Sequence, residues 1–396
     1  MNENLWLRPG KHTGEITLKT KVALIACRSY SQEEVAHAVD TAVGLLGGVE
    51  AFLPREGFVL VKPNMLSPYP LDRAVTTHPA VVGAVLNLLR RAGAEVVVGD
   101  SPGHGSVFGV AAKCGIAAAC DEAGVRLVSF EDGSARKQSS GRVCKEFVLA
   151  RPVVDASGII NVAKMKTHGF MTFTGAVKNL FGCIAGAEKL RMHLRYNDPH
   201  AFSLMLLDLL SLVKPRLSLL DAVVAMDGDG PSHGRTRHVG AILASEDPIA
   251  LDTVALRLAG ADPMRVPYLR AARDLGVGST RPEEIDVVGA RPEDFPVTDF
   301  ALPPATRATS GIFTFVRAIR KHVTASPQVD AAKCVGCGVC AQSCPPGAIV
   351  VASERAEIDH RCCIRCFCCH EMCPEGAVSL RRGALATIVD RALERL

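Results

Sequence analysis

Apolar stretches of strand length alternate with amphipathic, helix-length segments over the first three quarters of the chain. The pattern predicts strands at 21–26, 58–61, 95–98, 125–130, 153–162, 217–224 and 238–244. It predicts helices at 78–91, at 248–258 and from the capping pattern Ser31-Gln-Glu-Glu34 toward Phe52. This alternation is typical of an α/β fold, a mainly parallel sheet with flanking helices.

Four polar loops follow strands of this predicted sheet, and open α/β sheets bind ligands at the carboxyl ends of their strands. The loops contain the sequences LVKPNML, GDSPGHG, NVAKMKTHG and AMDGDGPSHG. None of them matches a dinucleotide, P-loop, serine-hydrolase or zinc-protease fingerprint. The sequence therefore gives no support to those four activities.

Basic residues are concentrated in the third loop and just after it. Lys164, Lys166, His168 and Lys178 bring three ammonium groups and an imidazole toward one strand end. Such a group suits a carboxylate or a phosphate, or the stabilisation of a developing oxyanion or enolate. The alternative for Lys164 and Lys166 is a solvated loop with no ligand.

Acidic residues in the fourth loop offer the complementary chemistry. Asp227 and Asp229 suit a general base, a metal ligand or an acceptor for a substrate hydroxyl, although Gly-Asp-Gly-Pro is also ordinary turn chemistry. His233 and His104 are secondary candidates. Asp252, inside the helix predicted at 248–258, is expected to cap a helix or to pair with a basic neighbour rather than to act in catalysis.

A repeated cysteine pattern near the C-terminal end uses eight of the 15 cysteines. The spacing C-x2-C-x2-C-x3-C-P occurs twice, 29 residues apart. In bacterial ferredoxins this pattern binds two [4Fe-4S] clusters, and the fourth cysteine of each run belongs to the other cluster. The predicted ligand sets are Cys334, Cys337, Cys340 and Cys373 for the first cluster and Cys363, Cys366, Cys369 and Cys344 for the second.

Two zinc sites are the alternative to iron–sulfur clusters, but zinc ribbons need paired C-x2-C knuckles set apart by a longer loop. Cys362 and Cys368 are the two cysteines of this region outside the repeat, and we expect them to pack rather than to bind iron. Cys183, beside the basic loop, is expected to be a buried packing residue as well.

The segments VKPNM, GDSPG, NVAKMKTHGFMTFTGAVKNLFG and the DGDGP loop together resemble the DUF362 family, a domain of uncharacterised function often found in iron–sulfur proteins. The resemblance covers roughly residues 20–300 and implies an α/β domain coupled to clusters, with no substrate identified. The region from roughly 327 to 382 is similar to a two-cluster bacterial ferredoxin, a small α+β domain.

These features divide the chain into an α/β domain (1–300), a linker (301–326), a two-cluster domain (327–382) and a tail (383–396). Proline and small residues mark the linker, and its segment IFTFVRAIRKHV predicts an amphipathic docking helix. Apolar residues recur at helical spacing in the tail, which would pack on this chain or on a second copy and so form a homo-oligomer.

Composition and charge narrow the list of partners. The net charge of +4 over 396 residues is too small to indicate nucleic acid or a membrane surface. The first 30 residues lack the pattern of a signal peptide, and the most apolar stretch, 201–213, is too short to cross a bilayer. We therefore expect a cytoplasmic protein whose clustered cysteines bind metal.

Two functions from different classes fit the sequence. As an iron–sulfur oxidoreductase, the protein would exchange electrons with an external donor or acceptor protein and reduce a small anionic substrate, or a flavin. Lys164, Lys166 and Lys178 would hold the anion, and His168 or Asp227 would supply a proton. As a non-catalytic electron carrier or assembly factor, it would use the large domain to dock a partner enzyme.

Overall fold

The computed structural model describes residues 19–295, 297, 299–303 and 325–381. The docking helix predicted in the linker and the helix predicted in the tail lie outside these residues. The domain boundaries drawn from the sequence therefore stay predictions.

Fifteen strands and twelve α-helices lie within the described residues. The strands are β1 (Thr20–Ala26), β2 (Val59–Pro63), β3 (Val96–Asp100), β4 (Arg126–Ser129), β5 (Gly133–Lys137), β6 (Glu146–Ala150), β7 (Gly158–His168), β8 (Thr172–Thr174), β9 (Leu217–Asp227), β10 (Arg235–Ser245), β11 (Ile285–Gly289), β12 (Ser326–Val329), β13 (Ile349–Ala352), β14 (Arg355–Ile358) and β15 (Val378–Arg381). The helices are α1 (Gln32–Leu45), α2 (Pro79–Arg91), α3 (Val107–Lys113), α4 (Ile116–Glu122), α5 (Arg151–Asp155), α6 (Ala176–Asn179), α7 (Glu188–Arg195), α8 (Pro199–Val213), α9 (Pro248–Leu258), α10 (Pro267–Leu275), α11 (Val339–Gln342) and α12 (Cys368–Met372). None of these helices is long and apolar enough to cross a membrane.

One nine-stranded mixed sheet organises the α/β domain, with strand order β11-β1-β10-β9-β7-β2-β3-β4 and β8 paired to β7. The pairs β9·β7, β7·β2, β2·β3, β3·β4 and β1·β11 are parallel, whereas β1·β10, β10·β9 and β7·β8 are antiparallel. The predicted fold class, a mostly parallel α/β sheet with flanking helices, is confirmed. Because β2, β3, β7 and β9 run the same way, their carboxyl ends lie at one edge.

Helices cover both faces of the sheet. Helices α1 to α4 contribute to the apolar core on one face, and α6, α8, α9 and α10 contribute to the core on the other. The central strand β7 is buried along all of its eleven residues. Charged residues are almost never buried so deeply without partners, so any lysine on β7 calls for a physical explanation.

Two predicted elements differ from the structure. The helix expected to run toward Phe52 ends at Leu45, because Gly47 and Gly48 adopt positive φ angles of 110° and 89°. The strand expected at 153–162 begins only at Gly158, because Pro152 lies in the first turn of the short helix α5.

The C-terminal module consists of two antiparallel strand pairs, β12·β15 and β13·β14, with the short helices α11 and α12 inside the two cysteine runs. It packs against the carboxyl edge of the large sheet. Phe367 belongs to the same apolar core as Phe170, and their ring centroids lie 6.4 Å apart in an edge-to-face arrangement. Tyr69 also donates a hydrogen bond to the carbonyl oxygen of Cys373 (2.9 Å).

Candidate functional site

A cavity of about 370 Å³ lies where the carboxyl edge of the large sheet meets the C-terminal module. Its walls come from the loops after β2 and β3, from β7, β8, α6 and α7, and from α12 of the module. Exposed residues at its rim include Gly103, Glu131 and Gln342. The volume lies within the range of small-molecule sites.

Lys166 reaches this cavity from the end of β7. Its Nζ atom donates hydrogen bonds to Oδ1 of Asn64 (2.8 Å) and to the carbonyl oxygen of Val75 (2.6 Å). Burial, reinforced by the positive charge of Lys178, lowers the pKa of Lys166 to about 7. Lys166 can therefore exchange a proton near neutral pH, and an anion beside it would favour its charged form.

Lys178 reaches the cavity from α6, and Asp252 fixes where that short helix begins. Asp252 accepts hydrogen bonds from the backbone N–H groups of Ala176 (2.6 Å) and Val177 (3.1 Å). A Cβ atom at Gly175 would lie 2.1 Å from Oδ1 of Asp252, so only glycine allows this approach. Asp252 is thus a capping residue, as the sequence suggested, and it positions Lys178.

The ammonium group of Lys178 lies over the rings of Phe181 and Phe202, 5.2 and 5.8 Å from their centroids. These ring contacts are its interactions among the described residues, where it forms no hydrogen bond and no ion pair. Burial lowers the pKa of Lys178, and the carboxylate of Glu371 opposes that shift. A half-buried ammonium with only aromatic partners can bind an anion.

Two further lysines, which the sequence analysis did not single out, line the cavity. Lys62, at the end of β2, forms an ion pair of 2.7 Å with Asp100 at the end of β3. Lys189, on α7, donates to the carbonyl oxygens of Ser101 (2.5 Å) and Pro102 (2.6 Å), and burial lowers its pKa to about 8. Lys62 and Asp100 lie in the strand-end loops VKPNM and GDSPG, which the sequence analysis identified, whereas no local pattern marked Lys189.

His168 connects β7 to the C-terminal module. Its Nδ1 atom accepts hydrogen bonds from the N–H groups of Phe170 (3.1 Å) and Met171 (3.3 Å), so the proton of the neutral ring is on Nε2. Nε2 lies 3.0 Å from Oε1 of Glu371 on α12. Burial lowers the pKa of His168 to about 4, which leaves it neutral at pH 7.

Lys164 lies away from the cavity, although it is only two residues from Lys166. Its Nζ atom contacts Oδ2 of Asp221 (2.9 Å) and the hydroxyl of Tyr30 (2.8 Å) in a buried network. The β7·β9 register shifts between the two lysines, with Lys164 opposite Asp221 and Lys166 opposite Met226, so their surroundings differ.

Asp227 also lies outside the cavity. Both of its carboxylate oxygens accept hydrogen bonds from Arg235 at 3.0 Å, and Oδ2 also accepts one from the N–H of Ala301 (3.0 Å). Asp229 lies at the module interface, 3.0 Å from Nε2 of His370. Of the secondary candidates, His104 lines the cavity and His233 does not.

The eight predicted cluster cysteines line two small cavities within the module. The first is lined by Cys334, Cys337, Cys340 and Cys373, and the second by Cys344, Cys363, Cys366 and Cys369. Crossed ligation requires this grouping. No set of three or more Cys, His, Asp or Glu side chains in the described part of the chain closes on a single metal ion.

Hydrogen bonds to the sulfurs test whether these residues suit an iron–sulfur cluster. Backbone N–H groups that point at cysteine sulfur stabilise thiolate ligands and tune the potential of a cluster. Such bonds include Ala348 to Cys344 (3.2 Å), Ala356 to Cys334 (3.4 Å) and Ala377 to Cys373 (3.2 Å). The donor set and its surroundings therefore fit [4Fe-4S] chemistry.

The two cysteine runs share a left-handed backbone although their residues differ. Gly336 and Gly338 in the first run have φ angles of 66° and 78°. Arg365 and Phe367 occupy the equivalent positions in the second, with φ angles of 57° and 65°. A non-glycine residue there costs about 1–2 kcal/mol. At Phe367 the burial of the ring against the α/β domain offsets this cost.

Comparison with known proteins agrees with these features. Residues 59–257 match the family described as Domain of unknown function (DUF362), and residues 327–350 match a 4Fe-4S binding domain. A thylakoid-associated protein of Synechocystis sp. is 33% identical over 311 residues, which are 76% of this chain and 96% of that protein. The chain is therefore an iron–sulfur protein that binds at least one [4Fe-4S] cluster, a cofactor typical of electron transfer.

Two solved structures are more distantly similar. The lactate racemase apoprotein from Thermoanaerobacterium thermosaccharolyticum has 16% identity and a TM-score of 0.38, over 57% of this chain and 54% of its own. A protein from Thermotoga maritima has 14% identity and a TM-score of 0.33, over 51% of this chain and 52% of its own. The chain spans about half the length of each.

Proposed function

This chain belongs to the DUF362 family, and we propose that it is an oxidoreductase that passes electrons through two [4Fe-4S] clusters to a small anionic molecule in the cavity. One observation carries the proposal: the cavity has lysines on its α/β side and α12 on its module side. Cys368 and Met372 of α12 line the cavity, and Cys369, the neighbour of Cys368, is a predicted ligand of the second cluster.

The two predicted cluster sites differ in their surroundings. In the first, Cys337 is exposed, and the neighbouring Val335 is 62% exposed. Each set has two buried cysteines, but the second has no exposed one, and Phe367, between Cys366 and Cys369, packs into the α/β core. This difference favours a path in which an external donor protein reduces the first cluster and the second passes electrons to the cavity.

The chain's own residues would bind the acceptor and supply its protons. Bound clusters would contribute one-electron transfers. Lys178 would hold an anionic group of the acceptor, because its ammonium has no other charged partner in the described structure. Lys166, with a pKa of about 7, is a better proton donor than His168, whose Nε2–H faces Glu371.

The site of the proposal omits two residues that the sequence suggested. Lys164 is held by Asp221 and Tyr30, and Asp227 by Arg235 and Ala301, so neither is available to a molecule in the cavity. A flavin remains an alternative acceptor within the proposed function. A flavin would be found by extracting the purified protein.

Rapid mixing of reduced protein with candidate acceptors tests the proposal. Full-length protein is purified anaerobically, checked for about eight irons per chain, reduced with dithionite and mixed with small organic anions or with compounds from its own extract. We expect at least one to reoxidise the clusters, and Lys178→Met to slow that reoxidation at unchanged iron content. Lys137→Met is the control, because its side chain is 85% exposed on the β5–β6 hairpin.

Two results would contradict the oxidoreductase. One is a Lys178→Met protein that is reoxidised at the wild-type rate by every acceptor that works. The other is a protein with full iron content, an empty extract and no acceptor among the anions tested. The second result would favour an electron carrier, and the search would turn to a stoichiometric protein partner.

A further inference from the structure

Three polar groups of residues that line the cavity have no charged or hydrogen-bonding partner among the described residues. They are Nζ of Lys178, Oγ1 of Thr174 and Nδ1 of His193. Thr174 and His193 are only 4% and 5% exposed. Leaving a buried polar group unpaired costs about 1–3 kcal/mol, so Thr174 and His193 together with the half-buried ammonium of Lys178 indicate a partner that binds there.

These three groups come from separate elements, β8, α6 and α7, and together they form what we call the inner subsite. Burial lowers the pKa of His193 to about 3, so its ring is neutral and can donate one hydrogen bond. A hydroxyl, an imidazole N–H and an ammonium are all donors. Donors of this kind suit a carboxylate.

A second positive centre lies at Lys189. Its ammonium donates to two backbone carbonyls, and no described carboxylate lies within ion-pair distance of it. Those carbonyls belong to the loop after β3, whereas Lys178 and His193 of the inner subsite both lie against the ring of Phe202, 5.8 and 4.8 Å from its centroid. Lys189 therefore lies on the β3 side of the cavity and the inner subsite on the side of Phe202.

The buried charges of the cavity do not balance. Four lysines line it, and the buried carboxylates among the lining residues are Asp100 and Glu371. Lys62 pairs with Asp100 at 2.7 Å, which leaves the single charge of Glu371 against the other three lysines. Because the pKa of Lys166 is about 7, these side chains leave between one and two positive charges uncompensated at neutral pH, and a bound anion that keeps Lys166 charged would meet two. Glu131, at the exposed rim, is screened by water and compensates little.

We propose that the molecule held in the cavity is a small dicarboxylate, with one carboxylate at the inner subsite and the other at Lys189. The inference rests on the proposed function in taking this molecule as the electron acceptor. Two separated positive centres favour two separated negative groups over a single phosphate. The volume of about 370 Å³ accommodates a short carbon chain between them.

Binding measured without electron transfer tests the inference. Oxidised, anaerobic full-length protein is titrated by calorimetry with succinate, glutarate and adipate, with their monomethyl esters, with butyrate and with inorganic phosphate. We expect the best diacid to bind at least tenfold more tightly than its half ester, butyrate or phosphate. Comparable affinity of a half ester, or tightest binding of phosphate, would overturn the inference.

Variants assign the two ends of the ligand. Lys189→Met should weaken diacid binding about tenfold and leave half-ester binding unchanged, because the half ester places its carboxylate at the inner subsite. Thr174→Val, which keeps the shape of the side chain, should weaken both ligands. Lys137→Met should change neither. Equal loss of both ligands in Lys189→Met would contradict the placement of the second carboxylate at that lysine.

The inference and the proposed function can fail separately. The redox arm needs a diacid with a reducible bond, because succinate, glutarate and adipate have none: an unsaturated or 2-oxo diacid can take up two electrons, one from each cluster, and two protons at its C=C or C=O bond. If such a diacid binds as described but never reoxidises the reduced protein, the oxidoreductase is overturned and the ligand class stands. Reoxidation by monocarboxylates at rates equal to those of diacids, with equal affinities, leaves the oxidoreductase standing and overturns the ligand class.

Discussion

Nε2 of His168 lies 3.0 Å from Oε1 of Glu371, so the last residue of β7 contacts the helix beside the second cluster site. Glu371 is the carboxylate on the module side of the cavity wall, which it shares with the lysines of the α/β domain. Nearby His168 and Lys178 help to lower the pKa of Glu371 to about 2, against the effect of its burial. Glu371 is therefore ionised over the whole physiological range.

Replacing Glu371 with glutamine keeps the size of the side chain and removes its charge. We expect Glu371→Gln to destabilise the protein by about 1–3 kcal/mol, because the buried ring of His168 loses the carboxylate 3.0 Å from its Nε2 atom. Anions should bind several-fold more tightly, because the cavity gains one uncompensated positive charge. Thermal unfolding with and without a diacid measures both effects. Weaker anion binding at unchanged iron content would contradict this role of Glu371.

Crossed ligation predicts which cluster each cysteine supports. Cys344→Ser should perturb the cluster of Cys363, Cys366 and Cys369, because Cys344 lines their cavity rather than that of its own run. EPR spectra of the reduced protein and iron analysis report the loss. Cys362→Ser is the matched control, since Cys362 is an exposed neighbour of Cys363 outside both cavities. Loss of the other cluster in Cys344→Ser would disprove the crossing.

The sequence predicted the sheet, and the edge at which its strand-end loops meet, better than it predicted which residues line the cavity. The strand pattern placed the loops after β2, β3 and β7 together, because parallel strands end at one edge. The separation of Lys164 from Lys166 was not predictable, since it depends on a register shift against β9. Glu371 was not predictable as a lining residue either, because no local pattern tells which helix of the module faces the sheet.

The pKa of about 7 at Lys166 predicts a pH dependence of anion binding. Below this value the ammonium is charged and affinity is complete, and affinity should fall as the pH rises through 7, with a further fall near 8 from Lys189. Calorimetry at pH 6, 7, 8 and 9 measures the fall, and two buffers of different ionisation enthalpy measure the accompanying proton uptake. Lys166→Met should remove the step near 7 and keep the step near 8. Flat affinity from pH 6 to 9 would contradict the assignment.

The same pKa shift predicts how stability depends on pH. The pKa of Lys166 in the folded protein lies below its ordinary value of 10.5, so the unfolded chain binds more protons between about 7 and 10.5. The contribution of Lys166 to the free energy of unfolding should therefore increase with pH across this window. Comparing wild type with Lys166→Met in denaturant titrations at pH 7 and pH 9 isolates it.

Asp252 should affect anion binding although it does not line the cavity. Asp252→Asn replaces one of the carboxylate oxygens that receive the N–H groups of α6, so we expect a loss of about 2–3 kcal/mol in stability and weaker binding of diacids through a displaced Lys178. Tyr268→Phe is the control, because it removes only the hydroxyl that donates to Oδ2 (2.9 Å). Unchanged diacid affinity in Asp252→Asn would show that Asp252 supports the fold alone.

Phe367 should be the side chain on which the docking of the module depends most. Its ring is 2% exposed against the α/β core, so Phe367→Ala should cost about 3–5 kcal/mol in the unfolding of the anaerobic holo-protein. The φ angle of 65° at this position gives a separate expectation for the glycine variant, in which backbone strain is relieved. Phe367→Gly should be about 1 kcal/mol more stable than Phe367→Ala, because only glycine adopts this backbone without strain, as Gly338 does in the first run. Greater stability of the alanine variant would mean that the left-handed conformation at this position does not persist in solution.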